Sequence, residues 1–335
     1  MKAKFKAGSL SQAKKGWKET IIDRIHTGKV LPIISGAVSE DLLFGSQETI
    51  HNNWAEYVEF PADSTAEFTE VTQYTSVMLK ADPEIKADDV YIKEAYLEFL
   101  KGTLWEQADE ELQEELEDDA ELESLTFTQF AQRLEMPAFN EDNKDTLLYL
   151  AALPLPIYVT TSYHGFLEAA LRRAGREPRV EICYWNNTLE SVPSVFEDTT
   201  YTPTPQEPLI FHLHGLDKYT QSMVMTEDDY LDFLVGISVD WEGVPLSVRQ
   251  ALTDSSLLLL GYGLRNWDFR VLFRGLIKTS IDQRRPKSVS IQLPDNEVEK
   301  TFLKNYLSLE ADLEVYWGSA TDLMAEIYQG WANQA

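Results

Sequence analysis

Residues 257–270 read LLLLGYGLRNWDFR. Four consecutive leucines run into Gly261-Tyr262-Gly263, and a polar Arg265-Asn266-Trp267-Asp268 follows before a new apolar pattern begins. An apolar run this short has the signature of a strand covered on both faces, as strands of a parallel sheet are. Glycines at its carboxyl end let the main chain turn sharply and let a ligand approach it closely. In open α/β sheets, ligands bind just beyond the carboxyl ends of strands. The segment therefore predicts both a fold and a small-molecule site.

The same grammar recurs in both directions from this stretch. VLPIIS (30–35) enters Gly36-Ala37-Val38-Ser39, after a short amphipathic helix over Trp17–His26. PIYVT (156–160) enters TSYHGFLEAALRRAG, which reads as a helix ending near Gly175. VEICYW (180–185), LIFHL (209–213), SVSIQL (288–293) and LEVYW (313–317) complete a set of about seven strands. Strands alternating with helices predict a Rossmann-like α/β fold, doubly wound around a mostly parallel sheet. Between the first two strands the pattern is helical. Residues 46–149 read as a helical insertion or small subdomain within a single domain spanning 1–335. Inside it, Glu106–Glu123 carries eleven acidic residues and no basic one. Leu112, Leu116, Leu122 and Leu125 predict one apolar stripe on an acidic helix, with a break near Asp118-Asp119. Such a run is either a solvated face or an acidic contact surface for a partner.

Composition narrows the functional classes. An apolar content of 44% over 335 residues supports a sizeable core. The net charge of -27 argues against a nucleic-acid surface, since phosphate binding depends on Lys and Arg. It equally disfavours anionic membranes. It leaves an anionic cofactor open, because charges are screened within about 8 Å at physiological salt and local amides can prevail. Cys183 is the one cysteine, which excludes an internal disulfide framework and a Cys-based zinc ribbon. The basic N-terminus lacks the apolar core of a secretory signal, and no run approaches the roughly 20 apolar residues of a membrane span. The expected location is cytoplasmic, without membrane contact.

Four strand ends carry groups with chemistry. The Gly36-Ala37-Val38-Ser39 turn presents amides to a phosphate or is an ordinary βα turn. The hydroxyls of Thr160, Thr161 and Ser162 cap the following helix or bind ribose hydroxyls, and His164 is placed in that helix's first turn. His212 and His214 share a strand face. They form a metal pair, or a structural histidine, or His214 is an acid/base group titrating near neutrality at a strand's carboxyl end. Asn266 and Asp268 bind ribose hydroxyls or cap the next helix, and Gly318-Ser319 repeats the strand–Gly–small–helix theme near the end of the chain.

Taken in order, GAVS, TTSYHGFLEAAL, HLHG, LLLLGYGLRNWDF and a last strand with WGS resemble the SIR2-like family of sirtuin-related, NAD-binding domains. The nearest likeness is to the bacterial antiphage-defence branch. The resemblance spans roughly 28–330, with 46–149 only loosely covered, and it implies an NAD site. Gly36, Ala37, Val38 and Ser39 would then face the phosphates, and Thr160 and Thr161 the nicotinamide ribose. His214 matches the catalytic histidine. Gly261, Tyr262 and Gly263 would meet the adenosine-side ribose with Asn266 and Asp268 beside them, and Gly318 and Ser319 the adenine. The four-cysteine zinc module of deacylases has no counterpart here, which favours NAD cleavage, with NAD as substrate or ligand and no zinc. Members that hydrolyse NAD carry TTN-x-D where this chain has Ser162 and His164. A hydroxyl replaces an amide that has separate donor and acceptor ends. The resemblance thus implies an NAD glycohydrolase with His214, Ser162 and His164 as catalytic residues, or a regulatory module that binds NAD or an ADP-ribose-type nucleotide with little turnover. A toxic hydrolase needs an off state, so a homo-oligomer or a partner protein is the expected control.

Overall fold

The computed structural model describes residues 16–61, 66–140, 142, 144–239, 243–263, 269, 289–293 and 313–334. Its strands are β1 (Val30–Ile34), β2 (Ile157–Thr160), β3 (Arg179–Ile182), β4 (Leu209–His212), β5 (Ser256–Leu260), β6 (Val289–Leu293) and β7 (Leu313–Trp317). They form one sheet in the order β3-β4-β2-β1-β5-β6-β7, and every pairing is parallel. All seven anticipated strands are present. The third is shorter than expected, although the Cys183 amide still donates to the His212 carbonyl at 2.9 Å.

Alternation along these strands sends successive side chains to opposite faces. Val30, Ile34, Tyr158, Ile210, Leu258 and Leu260 enter one buried apolar cluster. Leu31, Ile33, Ile157, Val159, Leu209, Phe211, Leu257 and Leu259 enter another on the opposite face. Two covered faces are what make LLLL read as a continuous run. Pro32 is unusual in an interior strand because it has no N–H to donate. The Ile34 carbonyl accepts from Thr161 on the β2 side at 2.9 Å, so position 32 faces β2 as well. Pairing with β2 accordingly covers only Ile33 and Ile34, whereas pairing with β5 runs the whole strand.

Helix α1 (Trp17–Ile25) precedes the sheet, and α2 (Ala37–Phe44) follows β1. The segment between β1 and β2 contributes α3 (Gln47–Tyr57), α4 (Phe68–Ala81), α5 (Tyr91–Gln107), α6 (Glu110–Leu116), α7 (Phe127–Arg133) and α8 (Thr146–Ala152), with no strand among its described residues. Trp54, Tyr96, Leu100 and Phe127 from these helices share one buried cluster with Ile34, Tyr158 and Leu260 of the sheet. Then come α9 (Phe166–Arg173), α10 (Glu227–Val239), α11 (Leu246–Asp254) and α12 (Ala320–Ala332).

The acidic stretch is broken close to Asp118-Asp119, as anticipated, and is interrupted once more, between Gln107 and Glu110. Helix α5 ends at Gln107, α6 stops at Leu116, and a short 3₁₀ turn holds Leu122–Ser124. Like charges at helical spacing weaken a helix. Asp119 also offers its side chain to the Glu121 amide at 3.0 Å and pairs with Arg133, a local alternative to helical bonding. Helix α9 starts later than expected, at Phe166 with Gly165 as its cap and no capping side chain. His164 therefore lies ahead of the helix and not in its first turn.

Candidate functional site

The strand order runs outward from β1 first through β2 and later through β5, so the carboxyl ends beside β1 form the crevice where ligands of such sheets bind. Gly36 follows β1, Thr161 follows β2 and His214 follows β4, and all three line one pocket. The Gly36 amide donates to Thr161 Oγ1 at 3.2 Å. Thr161 N donates to the Ile34 carbonyl, and Leu213 N to the Thr160 carbonyl, at 2.9 and 2.8 Å. Three adjacent strand ends are thus stitched together beneath the pocket.

Its wall comes largely from residues that the motifs did not flag. Glu40 of α2, Gln47 and His51 of α3, and Glu67, Phe68 and Thr69 at the start of α4 face Tyr163, Val224 and Tyr230. Glu40 is only 2% exposed. Its Oε1 accepts from the Tyr163 hydroxyl at 2.8 Å and its Oε2 from Gln47 Nε2 at 2.7 Å. His51 Nε2 lies 3.7 Å from Oε2, and the imidazole stacks on Phe68 with ring centroids 4.3 Å apart. Burial lowers the pKa of His51, an effect that a carboxylate so near opposes. Burial and the Glu40 charge push the Tyr163 and Tyr96 hydroxyls well above the usual phenol range, burial being the larger cause. Tyr163 is therefore a proton donor to Glu40. Spacing alone held a signal here: Gly36 and Glu40, and Gln47 and His51, are each four residues apart and share a helix face.

The pocket encloses about 90 Å³, well below the roughly 300–1,000 Å³ of a site that takes up a whole drug-sized ligand. It is sized for one end of a long ligand. Beyond it, the Gly261 turn abuts the turn after β1, where a Cβ at Gly261 would fall 2.5 Å from Val38 Cγ2. Gly261 has φ +76, so only glycine sits there without strain. The Gly261 amide donates to Gln292 Oε1 at 2.8 Å, while Gln292 Nε2 donates to the Gly318 carbonyl at 2.7 Å. A single β6 side chain that sequence reading passed over thus ties the ends of β5 and β7 together.

The remaining sequence candidates fall as follows. Ala37, Val38 and Ser39 form the first turn of α2, with the Ala37 amide 3.3 Å from Ser35 Oγ. Thr160 Oγ1 donates to the Ile34 carbonyl at 3.1 Å and accepts from the Ser162 amide at 3.0 Å. Tyr262 is buried in the second apolar cluster. Gly263 is half-buried. Ser319 caps α12 by accepting from the Asp322 amide. Asn266 and Asp268 lie outside the described residues. Ser162 and His164 are not among the residues lining the pocket. Ser162 Oγ and His164 Nδ1 are 2.7 Å apart, and the His164 ring packs against Phe166, Tyr163 and Phe127. His212 Nδ1 donates to the Ser162 carbonyl at 2.7 Å, so His212 serves the turn behind the pocket. No group of three or more His, Cys, Asp or Glu able to hold a metal occurs among the described residues.

His164 and His212 make stability pH-dependent. Burial first, and His212 second, bring His164 down to about 3. Burial brings His212 down to about 4, against the bond to Ser162. Unfolded imidazoles titrate near 6.5. Between these values the unfolded chain binds more protons, so stability rises with pH from about 3 to 6.5 and levels off above. Urea midpoints should therefore fall between pH 7 and pH 5, with each imidazole responsible for about 2 kcal/mol. His212→Asn should remove its share, and an unchanged slope in that variant would contradict the assignment.

His214 depends on its neighbour Gly215, whose φ is +82. A Cβ there would stand 2.2 Å from the Ser222 carbonyl oxygen. Gly215→Ala should destabilise by at least about 2 kcal/mol, from the left-handed backbone and the overpacking together. Chemical denaturation checks this, and a loss under half that size would mean the loop rearranges freely.

The parallel seven-stranded sheet, with helices on both faces and a polar pocket at the strand ends beside β1, defines a Rossmann-like α/β protein. Residues 156–309 match the SIR2-like domain family. That stretch, a little under half of the chain, supports a place in the SIR2-like family. SIR2-like domains in general bind NAD. The matched segment begins at β2, so β1 and its GAVS turn lie outside it, yet the sheet sets them against it. No curated protein matches the chain. No described helix is long and apolar enough to cross a membrane.

Proposed function

We propose that the protein hydrolyses the nicotinamide–ribose bond of NAD, giving nicotinamide and ADP-ribose, and that the resulting loss of NAD is its role in antiphage defence. The observation that carries this reading is the meeting of Gly36, Thr161 and His214 in one pocket at three adjacent strand ends. The small pocket takes the nicotinamide–ribose end. The rest of the dinucleotide extends past the α2 turn toward Gly261 and the Gln292–Gly318 link. His214 accepts a proton from the attacking water or from a ribose hydroxyl, the task to which imidazole is suited near neutral pH. In this reading the protein is cytoplasmic, and an oligomeric contact or a partner chain keeps it inactive until it is needed.

One observation favours a second reading. Ser162 stands where hydrolysing relatives carry an amide, and its hydroxyl faces His164 behind the pocket. A domain so built binds NAD or an ADP-ribose-type nucleotide as a signal and turns it over poorly. Purified protein incubated with NAD, with nicotinamide release followed by chromatography and binding by calorimetry, separates the two. Release with equal ADP-ribose supports hydrolysis. Binding without release at high protein concentration selects the regulatory module. Neither binding nor release overturns both.

A further inference from the structure

A second concavity, of about 400 Å³, opens between α3, α4 and α5. Buried Trp54 lies at its floor, and Tyr57, Tyr74, Met78 and Tyr91 line it as exposed side chains, Tyr57 by 66%. These four are half of the eight exposed large hydrophobics among the described residues. An open apolar patch with a polar rim marks an interaction surface, and tyrosine, tryptophan and methionine are the residues that anchor such surfaces. The rim is acidic. Segments 56–59 and 82–91 carry six acidic residues, all exposed, and one lysine, Lys86. Lys80 of α4 pairs with Asp89, so even with both lysines counted the surroundings are negative. Groove and pocket share their helices. Helix α3 gives Gln47 and His51 to the pocket and Trp54 and Tyr57 to the groove, and α4 gives Phe68 to the one and Tyr74 and Met78 to the other. Tyr96 of α5 stands between, its ring centroid 5.1 Å from that of Trp54 and 4.9 Å from that of Phe68. Its hydroxyl lies 3.3 Å from that of Tyr163.

We infer that this groove docks a cationic amphipathic segment of a protein partner. Apolar side chains of the segment enter between the tyrosines, as in other grooves between helices. Its Lys or Arg residues face the acidic rim and the aromatic faces. A second copy of the chain would bring a net charge of -27 and the same acidic rim to the contact, which like-charge repulsion opposes. An occupant that moves Trp54 presses on Tyr96, and through it on Phe68 and Tyr163 in the wall of the pocket. Resting on the NAD reading above, docking is therefore the control that a protein consuming NAD requires: it resets α3 and α4, and with them the space offered to the dinucleotide.

The probe is a synthetic peptide with leucines at i, i+3, i+4 and i+7 and lysines elsewhere, set against its glutamate counterpart. Calorimetry on the full chain at physiological salt should show one lysine peptide bound per chain, with a Kd of about 10 μM or tighter, and the glutamate peptide bound about tenfold more weakly. Tyr57→Ser with Met78→Ser should weaken the lysine peptide about tenfold or more. Leu231→Ser with Val235→Ser, exposed on α10, should leave it unchanged. All four side chains are exposed, and thermal midpoints check that each variant folds. Saturating peptide should shift NAD affinity about fivefold or more in wild type. No binding, equally tight binding of the glutamate peptide, or equal loss in the α10 variant overturns the docking site, the last because the attraction is then general. An oligomer in sedimentation that Tyr57→Ser with Met78→Ser takes apart assigns the groove to a second copy and overturns the partner. Peptide held in the groove with NAD affinity unmoved overturns the control and leaves the NAD reading standing. Peptide held by a chain that binds no NAD overturns the NAD reading and the control, and leaves the docking site standing.

Discussion

His214→Ala is expected to slow nicotinamide release about 10²–10⁴-fold, the usual contribution of a positioned general base. That corresponds to about 3–5 kcal/mol of barrier. The ring is 2% exposed and held edge-on between Tyr230 and Phe233, with centroids 5.2 and 5.1 Å away and both planes at 85°. Its carbonyl accepts from the Val224 amide at 3.1 Å. Two aromatic walls and a backbone bond therefore fix its direction before any ligand arrives, which is the preorganisation that a base requires. Truncation also leaves a cavity, so the variant's ADP-ribose affinity and thermal midpoint should be measured alongside. Loss of kcat with retained affinity supports the proton-transfer role. Unchanged release would remove His214 from the mechanism.

The second large effect concerns stability. Lys93→Met should cost about 3 kcal/mol, within the range for breaking a buried ion pair from one side. Lys93 of α5 is 3% exposed. Its Nζ donates to the Met223 carbonyl at 2.6 Å and to Asp229 Oδ1 at 3.0 Å, and it sits 5.6 Å from the Trp185 ring centroid. Asp229 Oδ2 in turn accepts from the Met225 and Thr226 amides. Methionine keeps most of the volume but leaves a carboxylate without its cation and a carbonyl without its donor. The segment 223–229 that Lys93 pins leads directly into Tyr230 and Phe233, so loosening it also frees the walls around His214. Urea denaturation measures the loss. Adding Asp229→Asn should recover part of it, as coupled neighbours do. A single-variant effect under about 1 kcal/mol would show that this network is not a stabilising one.

The sheet was legible because burial on two faces leaves an unmistakable local mark. The leucines of β5 and the short runs of β1, β2 and β4 announce themselves without any partner in view. The floor of the site was legible for the same reason, since Gly36, Thr161 and His214 each follow such a run. Its wall was not. Glu40, Gln47 and His51 are polar residues on helices, and polar residues on helices ordinarily face water. Only the third dimension sets them around one space. Gln292 hides in the same way inside β6, where one buried amide reaches two neighbouring strand ends. The late start of α9 escaped because Thr160 and Ser162 bond the nearby backbone and each other. Side chains of that kind compete with helix formation and mask where it begins.

The chamber at the strand ends has two builders. The sheet lays its floor, and the helices inserted between the first two strands raise much of one side. A few exchanges at positions such as 47, 51 or 68 would reshape what fits inside while every rung of the ladder stayed as it is. In a fold whose central layer is hard to alter, that leaves the inserted helices as the place where a lineage can change its guest.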